Sequence, residues 1–181
     1  MNSDDVKQRA ARIKLLLMDC DGVLTDGRIT LLTGGDEQKT FHVRDGHGLV
    51  LLHRAGLRSG IISGRSSSLV DRRAKELGIE FVRQGTWNKI EDFEEILEQA
   101  GTTLEETAFV GDDVTDIPLM MRVGLAVAVA DAVPETKQVA HLITKENGGN
   151  GAVREVTDLI LQAQERWQEL MSRYFDIERK L

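Results

Sequence analysis

The stretch Ile13-Lys14-Leu15-Leu16-Leu17-Met18-Asp19-Cys20-Asp21-Gly22-Val23-Leu24-Thr25-Asp26 joins an apolar strand to a cluster of carboxylates, and its reading decides the fold. Four to eight apolar residues that end abruptly in loop chemistry describe a central parallel strand, both of whose faces are covered by helices. In open α/β sheets ligands bind outside the carboxyl ends of the strands, which puts Asp19 and Asp21 at the mouth of a crevice. Two positions apart, they can turn toward one point, as hard oxygen donors for a divalent ion or as a nucleophile beside a proton donor. Asp, Asp and Gly are also ordinary turn residues, so this stretch alone leaves a plain turn and a site both open.

Downstream, two β-prone runs flank Thr33-Gly34-Gly35-Asp36, which predicts a β-hairpin over residues 28–43 that interrupts the βα alternation. Asp45 is then placed to cap a helix whose Leu49, Val50 and Leu52 face the core before Gly56 ends it. Residues 57–63 read as a second parallel strand running into Ser63-Gly64-Arg65-Ser66. A hydroxyl at a strand end, then Gly and a helix N-terminus, suits a phosphate, although a helix cap needs the same residues. The helix through Leu69, Val70, Arg73, Ala74 and Leu77 stops at Gly78, and a short strand over 79–82 leads to Lys89 and an acidic helix closed by Gly101. Thr103 with Glu106 forms a capping-box pattern ahead of a strand that ends in Gly111-Asp112-Asp113-Val114-Thr115-Asp116. Three carboxylates within five residues repel one another unless a metal gathers them; a surface acidic turn is the alternative. Helices opening near Pro118 and Pro134, strands over 125–129 and 141–143, a loop over 146–152 and a terminal helix over 152–175 complete the pattern. That last helix carries Val153, Val156, Leu159, Ile160, Ala163 and Trp167 as a core stripe.

With 181 residues and 41% apolar content, the chain can bury a core as one domain over 1–181. A net charge of -7 argues against a general affinity for nucleic acid, which needs a basic footprint. The single cysteine, Cys20, excludes an intrachain disulfide and suits a reducing compartment. Lying between Asp19 and Asp21, it points away from them and reads as a small buried side chain. No apolar run approaches the ~18 residues that span a bilayer, and the first twelve residues lack the apolar centre of a secretion signal. A cytoplasmic protein without a membrane partner is expected. His42, His47, His53 and His141 show no metal-ligand spacing and read as structural.

Taken in order, Asp19-x-Asp21-Gly22-Val23-Leu24-Thr25, Ser63, Lys89 and Gly111-Asp112-Asp113 with Asp116 resemble the four motifs of the haloacid dehalogenase superfamily of phosphohydrolases, with Asp116 three after Asp113 rather than four. Within it, the runs over 21–27, 41–46, 63–67, 72–78, 110–113 and 151–156 resemble the family of 3-deoxy-D-manno-octulosonate 8-phosphate phosphatases. The resemblance covers about residues 14–161. It departs at Cys20, where that family has a β-branched residue, and in the tail after Leu161.

This resemblance implies a doubly wound, mostly parallel, Rossmann-like α/β sheet with no cap domain and a hairpin inserted after the first strand. It implies Asp19 as nucleophile and Asp21 as general acid and base. Mg²⁺ would be held by Asp19, the backbone carbonyl of Asp21, and Asp112. Thr25, Ser63, Gly64 and Lys89 would bind the phosphoryl group, with Asp113 and Asp116 ordering either metal-bound water or Lys89. Arg65 is the candidate grip for a substrate carboxylate, because a guanidinium can hold one at two points. The expected substrate is a sugar phosphate of lipopolysaccharide precursor synthesis, and the expected assembly a homotetramer. Two rivals share the scaffold. One is a phosphatase for a nine-carbon sialic-acid-type sugar phosphate, whose members place an acidic residue where Arg65 stands. The other is a silent regulatory module, which would have no reason to keep Asp19, Asp21, Ser63, Lys89 and Asp112 together.

Overall fold

The computed structural model describes residues 3–175. Its centre is a six-stranded sheet, built from β1 (Leu15–Met18), β4 (Arg58–Ser63), β5 (Phe81–Gln84), β6 (Thr107–Gly111), β7 (Leu125–Ala128) and β8 (Leu142–Ile143). The spatial order is β5-β4-β1-β6-β7-β8, and every pairing is parallel. The chain therefore starts in the middle, winds outward over β4 and β5, then crosses back to lay down β6, β7 and β8. The reversal lies between β1 and β6, where crevices open in such sheets. Leu15, Leu16, Leu17 and Met18 are wholly buried, as expected of a strand covered on both faces. Each such side chain contributes on the order of 1.5–3 kcal/mol by leaving water.

Eight helices complete the described residues: α1 (Ser3–Ala10), α2 (Val43–Arg54), α3 (Ser68–Leu77), α4 (Lys89–Ala100), α5 (Ile117–Met120), α6 (Pro134–Val139), α7 (Ala152–Ala163) and α8 (Trp167–Phe175), with a 3₁₀ turn at Val114–Asp116. Glycines 78 and 101 end α3 and α4 in the left-handed conformation, as the sequence predicts.

Four expectations need correction. The hairpin is smaller than residues 28–43: β2 (Thr30–Leu31) pairs with β3 (Glu37–Gln38) through two residues each, and Val43 already opens α2. Phe41 belongs to no strand but packs against the core, with the Arg73 guanidinium 5.9 Å from its ring. Asp45 does not cap its own helix, which starts two residues earlier. It is buried and instead accepts the Gly151 and Arg154 amides, at 3.1 and 2.8 Å, where α7 begins. Thr103 and Glu106 form a turn rather than a capping box: the Glu106 amide donates to the Thr103 carbonyl, and its carboxylate pairs with Lys14 at 2.6 Å.

The terminal helix, expected over 152–175, is two helices. The Gln164 side chain donates to the carbonyls of Ala10 and Ile13, at 3.3 and 2.7 Å, and Glu165 takes a left-handed φ of 58°. A helix that continued straight would lose these two bonds to the segment leading into β1.

Candidate active site

Four adjacent strands deliver the site at their carboxyl ends. Asp19 follows β1, its amide bonded to the Val110 carbonyl of β6 at 3.0 Å. Ser63 is the last residue of β4, and Asp112 follows β6. Lys89 opens α4 beyond β5, where the Asn88 side chain caps by accepting from the Ile90 amide at 3.3 Å. Side chains lean toward a helix's N-terminus, so Lys89 reaches back over the strand ends. Its ammonium lies 2.6 Å from Asp19 Oδ1 and 2.8 Å from Asp116 Oδ1. The other Asp116 oxygen accepts the Asp112 amide at 3.0 Å.

Both oxygens of the fully buried Asp116 are thus committed, and its role is to anchor Lys89 and the Asp112 loop. Asp113 is exposed and caps the 3₁₀ turn through the Val114 amide at 2.7 Å. Of the two carboxylates left open by the sequence, Asp116 takes the lysine.

The electrostatics express crowding. Burial, then the charge of Asp116, pushes the Asp19 carboxyl up to about 7 in spite of Lys89. Burial, then Asp116, Asp19 and Asp113, pushes Asp112 up to about 7 as well. Burial would lower Lys89, yet Asp19 and Asp116 outweigh it and hold the ammonium above its ordinary value. Like-charged carboxylates crowded in a partly dry site repel one another, and a divalent cation would offset that repulsion beyond what Lys89 supplies. Asp19, Asp112 and Asp116 each offer an oxygen within 4.8 Å of the others. The donors are all hard oxygens, with no sulfur or imidazole among them, a set that suits Mg²⁺ and not a soft metal.

Gly22 makes the close approach possible. It has a φ of 98°, and a Cβ there would stand 2.1 Å from Asp112 Oδ2. From the other side the loop over 146–152 supports the catalytic loop: the Gly149 amide donates to the Val23 carbonyl at 2.8 Å, and a Cβ on Gly148 would lie 1.7 Å from the Gly22 carbonyl oxygen. The sequence reads this segment only as a loop. Its place is beneath the Asp19 loop.

A cleft of about 550 Å³ collects Asp19, Asp21, Ser63, Gly64, Arg65 and Lys89 with Asp112 and Asp113. Thr25, expected on the phosphate, does not line it. Its buried hydroxyl stays inside its own loop, 3.4 Å from the Cys20 carbonyl and the Gly22 amide and 3.3 Å from the Gly27 amide. Helix α3 begins at Ser68, five residues past Ser63, so its dipole lies farther from the hydroxyl than the sequence suggests. Cys20 is fully buried, and burial, then the charges of Asp21 and Asp19, pushes its thiol up to about 12, so it is no nucleophile.

Two residues of the site were missed. Lys39, with a side chain only 3% exposed, places its ammonium against Asp21 Oδ1 and 3.1 Å from Glu37 Oε1. Glu37 Oε2 in turn accepts from Arg65, whose Nε is 3.5 Å from Asp21 Oδ2. Glu37 and Lys39 are two apart on a β-prone run, hence on one face, and that spacing was the available signal.

Residues 77–156 match the haloacid dehalogenase-like hydrolase family. The chain is 47% identical over 164 residues to the 3-deoxy-D-manno-octulosonate 8-phosphate phosphatase KdsC of Yersinia pestis, covering 91% of this chain and 88% of that one. It belongs to that phosphatase family. Two further members agree. KdsC of Escherichia coli K12 is 46% identical over 92% of this chain and 89% of its own. The family's structure from Moraxella catarrhalis, solved with magnesium, phosphate and the sugar acid KDO, superposes with a TM-score of 0.93 at 40% identity, covering 96% of this chain and 99% of that one.

Proposed function

We infer that the protein is a magnesium-dependent phosphatase that hydrolyses 3-deoxy-D-manno-octulosonate 8-phosphate through an aspartyl-phosphate on Asp19. The observation that carries this reading is the buried Asp19–Lys89–Asp116 chain beside Asp112, set at the ends of parallel strands. Relatives of 46–47% identity carry that activity in their names, and the Moraxella catarrhalis relative was solved with magnesium, phosphate and the sugar acid.

Lys89 holds Asp19 Oδ1, which leaves Oδ2 to attack phosphorus. As the Oδ2–P bond forms, the bond from phosphorus to the sugar oxygen breaks, and Asp21 gives that oxygen a proton. Asp21 then takes a proton from the water that cleaves the aspartyl-phosphate. Ser63 and Lys89 donate to the phosphoryl oxygens. Asp19, Asp112 and the Asp21 carbonyl would hold Mg²⁺, which when bound offsets the carboxylate charges and polarises the phosphoryl group. Arg65, on the rim of the cleft, grips the sugar's carboxylate.

The same reading includes one domain over 1–181, a cytoplasmic location and a homotetramer. No helix among the described residues is long and apolar enough to cross a membrane. Ile29, Leu31 and Leu32 stand exposed on the hairpin, which supports pairing with further copies.

Phosphate release from the sugar phosphate tests the activity. Turnover is expected with Mg²⁺ and none in excess chelator; full activity without divalent metal overturns the metal reading, and no release from this substrate overturns the substrate.

A further inference from the structure

Glu37 and Lys39 are left unused by the mechanism, yet both touch groups that it needs. The four side chains form a closed ring. Lys39 bridges Asp21 Oδ1 and Glu37 Oε1, while Arg65 bridges Glu37 Oε2 and approaches Asp21 Oδ2 at 3.5 Å. Two anions alternate with two cations, and the two halves differ in burial. The Lys39 side chain is 3% exposed, so its ammonium must keep an anionic partner. Arg65 is 47% exposed, so its bond to Glu37 is a water-screened pair that can be exchanged cheaply.

We propose that Glu37 is an internal placeholder for the substrate's carboxylate: it occupies the Arg65 guanidinium in the empty site and yields it to a carboxylate-bearing ligand. This rests on the reading that Arg65 grips the sugar acid. The chemistry of the exchange is like for like, one carboxylate replacing another on a planar fork of donors. Glu37 does not need Arg65 to stay satisfied, since its other oxygen remains on Lys39. The hairpin that carries Glu37 is held by two residue pairs, so a small shift of β3 suffices to open the contact. The cost of displacing Glu37 falls on ligands that use Arg65 and spares those that do not. The placeholder therefore lowers the affinity for carboxylate-bearing ligands relative to small phosphate esters that lack a carboxylate.

The substitution Glu37→Gln separates the two halves. Its amide oxygen can still accept from Lys39, whereas its NH₂ has nothing to offer Arg65. The probes are free 3-deoxy-D-manno-octulosonate, as a competitive inhibitor of p-nitrophenyl phosphate hydrolysis, and p-nitrophenyl phosphate itself. In Glu37→Gln the sugar acid's inhibition constant is expected to fall about two- to fivefold relative to the aryl phosphate KM, the size expected of an exposed ion pair. In an Arg65→Met background the same change should leave that ratio unaltered. A ratio unchanged or raised by Glu37→Gln, or a fall that persists without Arg65, overturns the proposal. Wild-type turnover of the sugar phosphate, measured alongside, reports separately on the assigned substrate: if it fails while the inhibition ratio shifts, the placeholder stands and the substrate is another carboxylated phosphate.

Discussion

At the scale of single residues, Asp19 and Asp45 are two buried carboxylates with opposite tasks, and each makes a prediction. Asp19→Asn keeps the shape of the side chain and an acceptor for Lys89, but the amide cannot form an acyl phosphate. Turnover should drop by roughly 10⁴-fold or more with the thermal midpoint retained, because losing a nucleophile removes an interaction confined to the reaction path. Activity within tenfold of wild type would refute the mechanism. Asp45→Ala should leave α7 uncapped and the buried Gly151 and part-buried Arg154 amides without their acceptor, costing about 1–3 kcal/mol in denaturant unfolding. An unchanged midpoint would refute that assignment. The two also mark the reach of the sequence. Asp19, Ser63, Lys89 and Asp112 were legible because each sits at or near a strand end, a place that local patterning reveals. The partner of Asp45 lies more than a hundred positions away, and no local signal announces it. The spacing of Lys39 and Glu37 puts them on one face, but only the folded hairpin brings Lys39 to Asp21.

At the scale of elements, the parallel strands and their helices were legible because burial on both faces writes an apolar run into each strand. The hairpin and the terminal helix were misread where tertiary contacts override local preference: Phe41 leaves the strand to pack on the core, and Gln164 breaks the helix to bond the segment before β1. Histidines join other elements. His53 accepts from Ser59 through Nε2 at 2.7 Å and donates from Nδ1 to the Leu77 carbonyl at 3.1 Å, tying α2 to β4 and α3. His141 Nδ1 accepts the Ala126 amide of β7 at 2.8 Å. The His141 pairing requires a neutral ring, because a protonated Nδ1 cannot accept, and burial foremost lowers both pKa values below the ordinary 6.5. The unfolded chain therefore takes up protons that the folded chain refuses. The stability contributed by these rings is complete above about pH 6.5 and is lost as pH falls through that value toward the folded-state pKa. His141→Asn can keep an acceptor for the Ala126 amide without titrating. Its unfolding free energy should depend less steeply on pH between 7 and 5 than that of wild type. An equal or steeper dependence would rule out His141 as a contributor.

At the scale of the whole molecule, the sheet order places the crevice at the reversal between β1 and β6, and the described elements include no cap domain over it. Only about 37 positions separate Asp26 from Ser63 and about 26 separate Ser63 from Lys89, spans filled by the hairpin, α2, α3 and β5. Phosphoryl transfer gains from a site that excludes water, so the cover must come from elsewhere. The hairpin is the candidate, since two paired residues per strand are too few to stand in water alone and their outer edges remain open. Leu31 is 75% exposed there, with Ile29 and Leu32 beside it, and Trp87 is fully exposed on the cleft rim. A closed ring of copies would bury these side chains and give each site a wall from its neighbour. Phe41, inside the span that the sequence predicts as hairpin, already packs on its own core and is the wrong residue to test. Light scattering is expected to give four copies per particle for the wild type, and Ile29→Asp with Leu31→Asp should reduce that to one or two. In the dissociated variant KM for the sugar phosphate should rise by about tenfold or more, while hydrolysis of a small aryl phosphate, which needs no contact beyond the phosphoryl site, should change far less. A monomeric wild type at micromolar concentration with full activity toward the sugar phosphate would refute the assembly, because the crevice would then work without the cover assigned to it.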